Sequence, residues 1–155
     1  VRAVEAESPH MIVHLGDGWR EARQLHGQFP MLPFYQVPGN CDFRPSEPAE
    51  QLRFLGKEAR LDLPRPHLWR ETVPASGRIC RRGRNLDLFL FGHTHQPLVD
   101  MRGKTLFLNP GSIGDHFRPF YGIITLQNSH LDGHTVPLVD LASIFIKAAG
   151  LGSQS

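Results

Sequence analysis

The sequence has few cysteines, no long apolar run and almost no charge imbalance, and each shortage excludes a class of protein. Its two cysteines, Cys41 and Cys80, cannot build a disulfide framework and form no CxxC metal or redox motif, which favours the reducing cytoplasm. The longest apolar run, residues 88–91, is far shorter than the roughly 18 residues that span a bilayer. We therefore expect a cytoplasmic protein without a membrane partner.

The net charge argues against a nucleic-acid partner. Lys and Arg number 17 against 15 Asp and Glu, a formal net charge of +2, and no basic stretch carries interleaved aromatic residues. With 155 residues, of which 40% are hydrophobic, the composition is that of one globular domain. We assign residues 1–150 to this domain and residues 151–155 to a tail, and the sequence leaves a homo-oligomer open.

Histidine, unlike cysteine, is abundant. The nine histidines are notable because imidazole is the commonest metal ligand in proteins and an effective acid or base near neutral pH. Their positions in the chain therefore indicate where a metal or an acid–base site would lie.

Short apolar strands end repeatedly in polar loops that contain glycine. Strands are predicted at residues 11–15, 33–37, 86–91 and 105–108, and helix-forming residues 19–27 join the first two. Open α/β sheets bind ligands beyond the C-terminal ends of their strands. The pattern therefore predicts an α/β (α+β) fold with a ligand site at these loops.

The remaining elements are predicted from alternation and turn residues. Apolar residues alternate on both sides of Gly56-Lys57, which indicates a hairpin. Later strands are predicted at residues 121–126 and 136–139, with a hairpin turn at residues 131–133 between two solvent-exposed histidines, His130 and His134. A last helix is predicted to begin at Asp140.

The strand-end loops carry four possible metal ligands, Asp17, Asn40, His93 and His95. Carboxylate, amide and imidazole ligands together suit Mn, Fe, Zn or Ni rather than Ca or thiolate-bound zinc. A His-x-His pair can serve two neighbouring metals, and two metals about 3.5–4 Å apart can hold a phosphate and activate water for phosphoester hydrolysis. Each short motif taken alone also fits an ordinary turn.

The motifs occur in an order that resembles a known family. His14-Leu15-Gly16-Asp17, residues 37–42 (VPGNCD), residues 90–97 (LFGHTHQP) and residues 108–113 (LNPGSI) are similar to successive motifs of the calcineurin-like metallophosphoesterases. The resemblance is to the small bacterial and archaeal YfcE-like phosphodiesterase branch and covers residues 1–126. It implies a four-layer αββα sandwich that hydrolyses a small phosphodiester substrate by a hydroxide bound at a pair of metal ions.

The resemblance also implies a role for each motif residue. Asp17 would bridge the two metals, Asn40 and His93 would bind the second metal, and His95 would bind the first. Asn40, Cys41 and Asp42 form the implied catalytic segment: Asn40 positions the phosphate and Asp42 supports the loop. Cys41 is either a weak proton donor or a buried packing residue. Mn²⁺ is the expected metal, with Ni²⁺, Fe²⁺, Zn²⁺ and Mg²⁺ as alternatives.

Two departures from the family pattern indicate a second possible function. No Asp-x-His strand precedes Asp17, so the resemblance implies an N-terminally truncated fold in which residues 1–9 continue a first helix. Arg65 stands where a metal-binding histidine is expected, and His67, two residues later, is the alternative ligand. A chain short of ligands could act as a catalytically degenerate binding or scaffold module, as the retromer subunit of this superfamily does.

Overall fold

The structure, a computed structural model, describes residues 1–39, 41–42 and 86–138, and the backbone of residues 51–55 and 59–63. The candidate residues Asn40, Arg65 and His67 and the predicted last helix lie outside the described residues. The described elements are two helices and nine strands: α1 Arg2–Glu7, β1 Ile12–His14, α2 Trp19–Gln28, β2 Phe34–Gln36, β3 Gln51–Leu55, β4 Ala59–Leu63, β5 Leu88–Leu90, β6 Leu98–Arg102, β7 Thr105–Asn109, β8 Phe120–Gln127 and β9 His130–Pro137.

The first strands and helix form the βαβ unit that the sequence predicts. Strands β1 and β2 pair in parallel, with Ile12 opposite Phe34. Helix α2 connects them, buries Ala22, and contacts β2 through a stacked pair of rings, His26 and Phe34, whose centroids lie 5.0 Å apart. Neither helix in the described part of the chain is long and apolar enough to cross a membrane.

A five-stranded sheet in the order β3-β4-β5-β7-β6 forms the second unit. Strands β3 and β4 are the predicted antiparallel hairpin, while β4, β5 and β7 run parallel. Strand β6 pairs antiparallel with β7 and was not predicted; its apolar residues Val99 and Met101 are exposed at the edge of the sheet. The parallel strands place their C-terminal ends at one edge of this sheet.

The core lies between the two units because successive residues of a strand point to opposite faces. On one face of β5 and β7, leucines meet Val37 and the partly buried side chains of the smaller sheets. This cluster consists of Val37, Leu88, Leu90, Leu106 and Leu108, against which Val13, Leu15, Tyr35, Ile124 and Leu131 pack. The opposite face carries Phe89, Phe91 and Phe107. Two packed β layers with helices thus make up the predicted mixed α/β architecture.

The hairpin β8–β9 differs from the prediction in the position of its turn. Asn128 and Ser129 form the turn, with φ of 50° and 61°, as a two-residue hairpin loop favours. The predicted turn at residues 131–133 is wrong because Gly133 lies inside β9, opposite Ile124. A Cβ there would lie 3.0 Å from Leu108, so glycine is needed for close packing. His130 and His134 are exposed, as predicted.

Helix α1 confirms the helical prediction for the N-terminal residues and contacts the hairpin. The Tyr121 hydroxyl donates a hydrogen bond of 2.7 Å to Glu7 Oε1. Desolvation, reinforced by the Glu7 carboxylate, raises the pKa of Tyr121 to about 12. The contact ties α1 to β8.

The aromatic face of the main sheet makes a large contribution to stability. Phe89 is fully buried and its ring lies 5.2 Å from that of Phe107, whereas Phe117 is 95% exposed. We predict that Phe89→Ala lowers the free energy of unfolding by about 3–5 kcal/mol, because it opens a cavity. The matched control Phe117→Ala should change it by less than about 0.5 kcal/mol. Urea denaturation followed by circular dichroism measures both, and equal midpoints would contradict the assignment of the core.

His14 generates a second prediction, since it lies on the face of β1 opposite the core. Its Nδ1 is closed off from solvent and has no hydrogen-bond partner among the described residues. Burial lowers the pKa of His14 below 6.5, and the negative charges of Asp42 and Asp17 offset only part of this decrease. The unfolded chain therefore takes up this proton more readily than the folded protein. Above pH 6.5 the neutral His14 does not lower the free energy of unfolding. As the pH falls from 6.5 through the folded-state pKa, the free energy of unfolding decreases, because the unfolded chain binds the proton more tightly.

We predict that the urea midpoint of the wild type falls more between about pH 7.5 and about pH 5.5 than that of His14→Gln, which has no proton to gain. The exposed His130→Gln variant should fall as much as the wild type. Parallel pH dependence in the wild type and His14→Gln would contradict the prediction.

Candidate functional site

Loops after β1 and β2 touch backbone to backbone. A Cβ added to Gly16 would lie 2.6 Å from the Gly39 Cα, and a Cβ added to Gly39 would overlap the Asp17 side chain. Only glycine fits at these two positions, and Gly16 also has φ of +99°. The contact places Asp17 directly beside the loop in which Asn40 follows Gly39.

Asp42 fastens these two loops together. Its Oδ2 accepts hydrogen bonds from the backbone N–H groups of Asp17, at 2.9 Å, and Gly39, at 2.8 Å. Its Oδ1 accepts a hydrogen bond of 2.9 Å from the backbone N–H of Trp19, the first residue of α2. A carboxylate at this end of a helix also meets the positive end of the helix dipole. One carboxylate therefore bonds to the backbone of both loops and of α2, and the role of Asp42 in the site stays a prediction.

Cys41 lies beside Asp17 and is exposed. Its backbone N–H donates to Asp17 Oδ1 at 2.9 Å, which fixes the orientation of that carboxylate. The packing alternative for Cys41 is wrong, because the side chain is not buried. Its role as a proton donor stays a prediction.

The loop that carries the two histidines packs against the end of β1. A Cβ on Gly92 would lie 3.0 Å from the Leu15 carbonyl oxygen. The Thr94 N–H donates to the Gly92 carbonyl at 3.0 Å, and His93 between them has φ of 76°, which is the φ of a strained γ-turn. His95 follows with φ of 56°. Both histidine side chains are exposed at this edge.

Backbone strain coincides with the predicted ligands. Asp17, His93 and His95 all have positive φ, and elsewhere among the described non-glycine residues only Ser8, Asn128 and Ser129 do. Such conformations cost about 1–3 kcal/mol each and persist where surrounding contacts enforce them, often at functional sites. The sequence predicted these three residues but not their conformation.

The donors fit a divalent transition metal in their chemistry, because one carboxylate and two imidazoles form a mixed oxygen and nitrogen set on adjacent, strained loops. Within residues 1–39, 41–42 and 86–138, however, no three His, Cys, Asp or Glu side chains lie together closely enough to hold an ion. The predicted ligands Asn40 and His67 lie outside these ranges. The described side chains therefore supply only part of a ligand shell.

Asn109 is a residue of the site for which the sequence indicated no role. It is fully buried at the end of β7, where its Nδ2 donates to Thr94 Oγ1 at 2.9 Å and to the Gly92 carbonyl at 3.3 Å. Its Oδ1 accepts the Gly111 N–H at 3.0 Å. The available signal was its place at the end of the fourth strand, in the Asn-Pro-Gly-Ser segment. Asn109 links the last two strand-end loops.

The segment after Gly111 forms a rim beside His95. Asp115 Oδ1 accepts the backbone N–H groups of Arg118 and Phe117, each at 2.8 Å, and these bonds lower the pKa of its carboxyl. The charges of His95 and His116 lower this pKa further.

Solved structures share this arrangement of strands and loops. A predicted phosphoesterase from Streptococcus pneumoniae TIGR4 superposes with a TM-score of 0.65 at 22% identity, over 88% of this chain and 79% of that chain. An archaeal phosphodiesterase superposes with a TM-score of 0.59 at 14% identity, over 88% of both chains. Vps29 from Entamoeba histolytica, complexed with Zn²⁺, gives 0.54 at 22% identity, over 77% of this chain and 71% of that chain. These likenesses show the fold.

The sequence itself supplies the family. No curated protein matches it at a significant level. The profile of the calcineurin-like phosphoesterase superfamily domain matches residues 1–129, a stretch that contains every described site residue from Asp17 to Asn109. This match spans most of the chain, and the chain therefore belongs to the calcineurin-like phosphoesterase superfamily.

Proposed function

We propose that the protein is a metal-dependent phosphodiesterase that hydrolyses a small phosphoester substrate in the cytoplasm. The observation that carries the proposal is the strain at Asp17, His93 and His95, three residues with donor side chains on touching loops. The archaeal phosphodiesterase of the same fold gives further support.

In this proposal Asp17, His93 and His95 hold divalent metal, expected to be Mn²⁺, and Asn40 and His67 are further candidate ligands. A bound pair of ions would supply positive charge that polarises the phosphate and lowers the pKa of a water molecule. The Cys41 N–H orients the Asp17 carboxylate, and Asp42 holds the backbone of both loops. The exposed Cys41 thiol is the candidate proton donor to the leaving group, and Asn40 positions the phosphate.

The direct test is hydrolysis of bis-p-nitrophenyl phosphate with added Mn²⁺. We predict turnover that a chelator abolishes and Mn²⁺ restores. Asp17→Asn keeps the acceptor for the Cys41 N–H but removes the charge, and His93→Ala removes a donor, so each should lower kcat/KM by about 100-fold.

His130→Ala is the matched control, because it removes an exposed histidine from β9 and should leave kcat/KM unchanged. Hydrolysis that needs no metal, or that survives both Asp17→Asn and His93→Ala at the wild-type rate, would contradict the proposal.

The glycine contact between the loops gives an independent prediction. Gly39→Ala places a methyl group on the Asp17 side chain, so it should displace Asp17 and lower both the urea midpoint and kcat/KM. Gly27→Ala meets nothing within 4 Å and lies in α2, so it should raise stability by up to about 1 kcal/mol and leave activity unchanged. A fully active Gly39→Ala protein would contradict the importance of this contact.

The second candidate function is a binding or scaffold module, which three observations favour. No three ligating side chains come together in the described ranges, and Arg65 replaces an expected ligand. Vps29 structures also share the fold. Calorimetric titration with Mn²⁺ and Zn²⁺ discriminates: a folded protein that binds neither ion favours the scaffold, whereas binding that Asp17→Asn weakens favours the enzyme.

A further inference from the structure

The geometry points to Asn109 as a positioning residue that holds His93 in the strained backbone conformation from which its imidazole is presented for metal binding. The inference rests on the proposed function for the metal, but the holding itself is a property of the metal-free protein. Asn109 acts on His93 through hydrogen bonds to its two neighbours, Gly92 and Thr94.

Each polar atom of the Asn109 amide has a defined partner in one of the two loops. The Nδ2 atom has two hydrogens, and both are used, one on the Gly92 carbonyl and one on Thr94 Oγ1. The Oδ1 atom accepts the Gly111 N–H. Asn is the smallest side chain that offers two donors and an acceptor on one plane, since Asp offers only acceptors and Leu offers neither.

The two contacts of Nδ2 lie on either side of His93. The Gly92 carbonyl accepts both the Thr94 N–H, which closes the γ-turn, and the Asn109 amide. The hydroxyl of Thr94 is held at 2.9 Å by the same amide. Residues before and after His93 are thereby fixed to β7, so His93 cannot relax to negative φ without breaking these bonds.

The second loop adds to this constraint. Gly111 has φ of +85°, and a Cβ there would lie 3.0 Å from Pro97, two residues beyond His95. The Asn109 Oδ1 bond to Gly111 stabilises the conformation that allows this approach. The segment from Gly92 to Pro97 is therefore held at both ends by Asn109 and the turn that follows it.

Thr94 offers the cleanest test, because Asn109→Leu leaves buried partners unsatisfied and is prone to unfold. Thr94→Val has nearly the same shape and removes only the hydroxyl acceptor, while Thr94→Ser keeps it. Thr105→Val is the matched control, since the Thr105 hydroxyl donates a 2.6 Å bond to the Leu86 carbonyl, away from the turn. Asn109→Leu is included where it folds.

Two readouts are measured, the exchange protection of the residue 94 amide in metal-free protein by NMR and the Mn²⁺ dissociation constant by calorimetry. We expect Thr94→Val to lose protection about fivefold and to bind Mn²⁺ about tenfold more weakly, with Thr94→Ser close to the wild type. Thr105→Val should lower the urea midpoint without weakening Mn²⁺ binding.

Three results would overturn the inference. The first is unchanged exchange protection of the residue 94 amide in Thr94→Val, and the second is a Thr94→Val protein that loses this protection but keeps wild-type Mn²⁺ affinity. The third is a Thr105→Val protein that binds Mn²⁺ as weakly as Thr94→Val. Wild-type protein that binds no Mn²⁺ overturns the proposed function and the presentation of His93 to metal. That result is distinguishable because it is seen in the wild type, and the protection factors then decide separately whether Asn109 holds the turn.

Discussion

The backbone contact between Gly16 and Gly39 is the constraint on which the site depends. Strands β1 and β2 are parallel neighbours, so the loops that follow them leave the sheet side by side. A side chain at either glycine would push these loops apart. Because none is present, Asp42 can reach the backbone of both loops and of α2 with one carboxylate. The positions of Asp17 and of the Asn40 loop follow from this contact.

Two hydrogen-bond systems, those of Asp42 and Asn109, stabilise conformations that the backbone alone disfavours. Hydrogen bonds to a charged group contribute about 1.5–3 kcal/mol each, similar to the cost of about 1–3 kcal/mol for one residue at positive φ. The bonds of the charged Asp42 carboxylate are therefore comparable in free energy to the strain at Asp17, and the neutral bonds of Asn109, at about 0.5–1.5 kcal/mol each, contribute less each at His93.

Local patterns were enough to predict β1, α2, β2 and the hairpin β3–β4, because apolar runs, alternation and helix formers act over a few residues. The candidates Asp17, His93 and His95 were predicted from strand-end position and motif order. Strand β6 and the turn at Asn128 were not, since edge exposure and the packing of Gly133 on Leu108 are tertiary effects. The contacts of Asn109 join residues 15 and 17 positions apart, which no local pattern encodes.

The types of residue found at positive φ help to distinguish an ordinary turn from a ligand site. Outside the site, most residues with positive φ adopt it at low cost, such as Gly18, Gly103 and Asn128, and the exceptions are Ser8 and Ser129. At Asp17, His93 and His95 the chain places carboxylate and imidazole side chains on the same kind of backbone instead. A glycine would serve a plain turn better at each of these positions. The cost at these three residues supports the proposal that their side chains bind metal, in the two motifs that carry them.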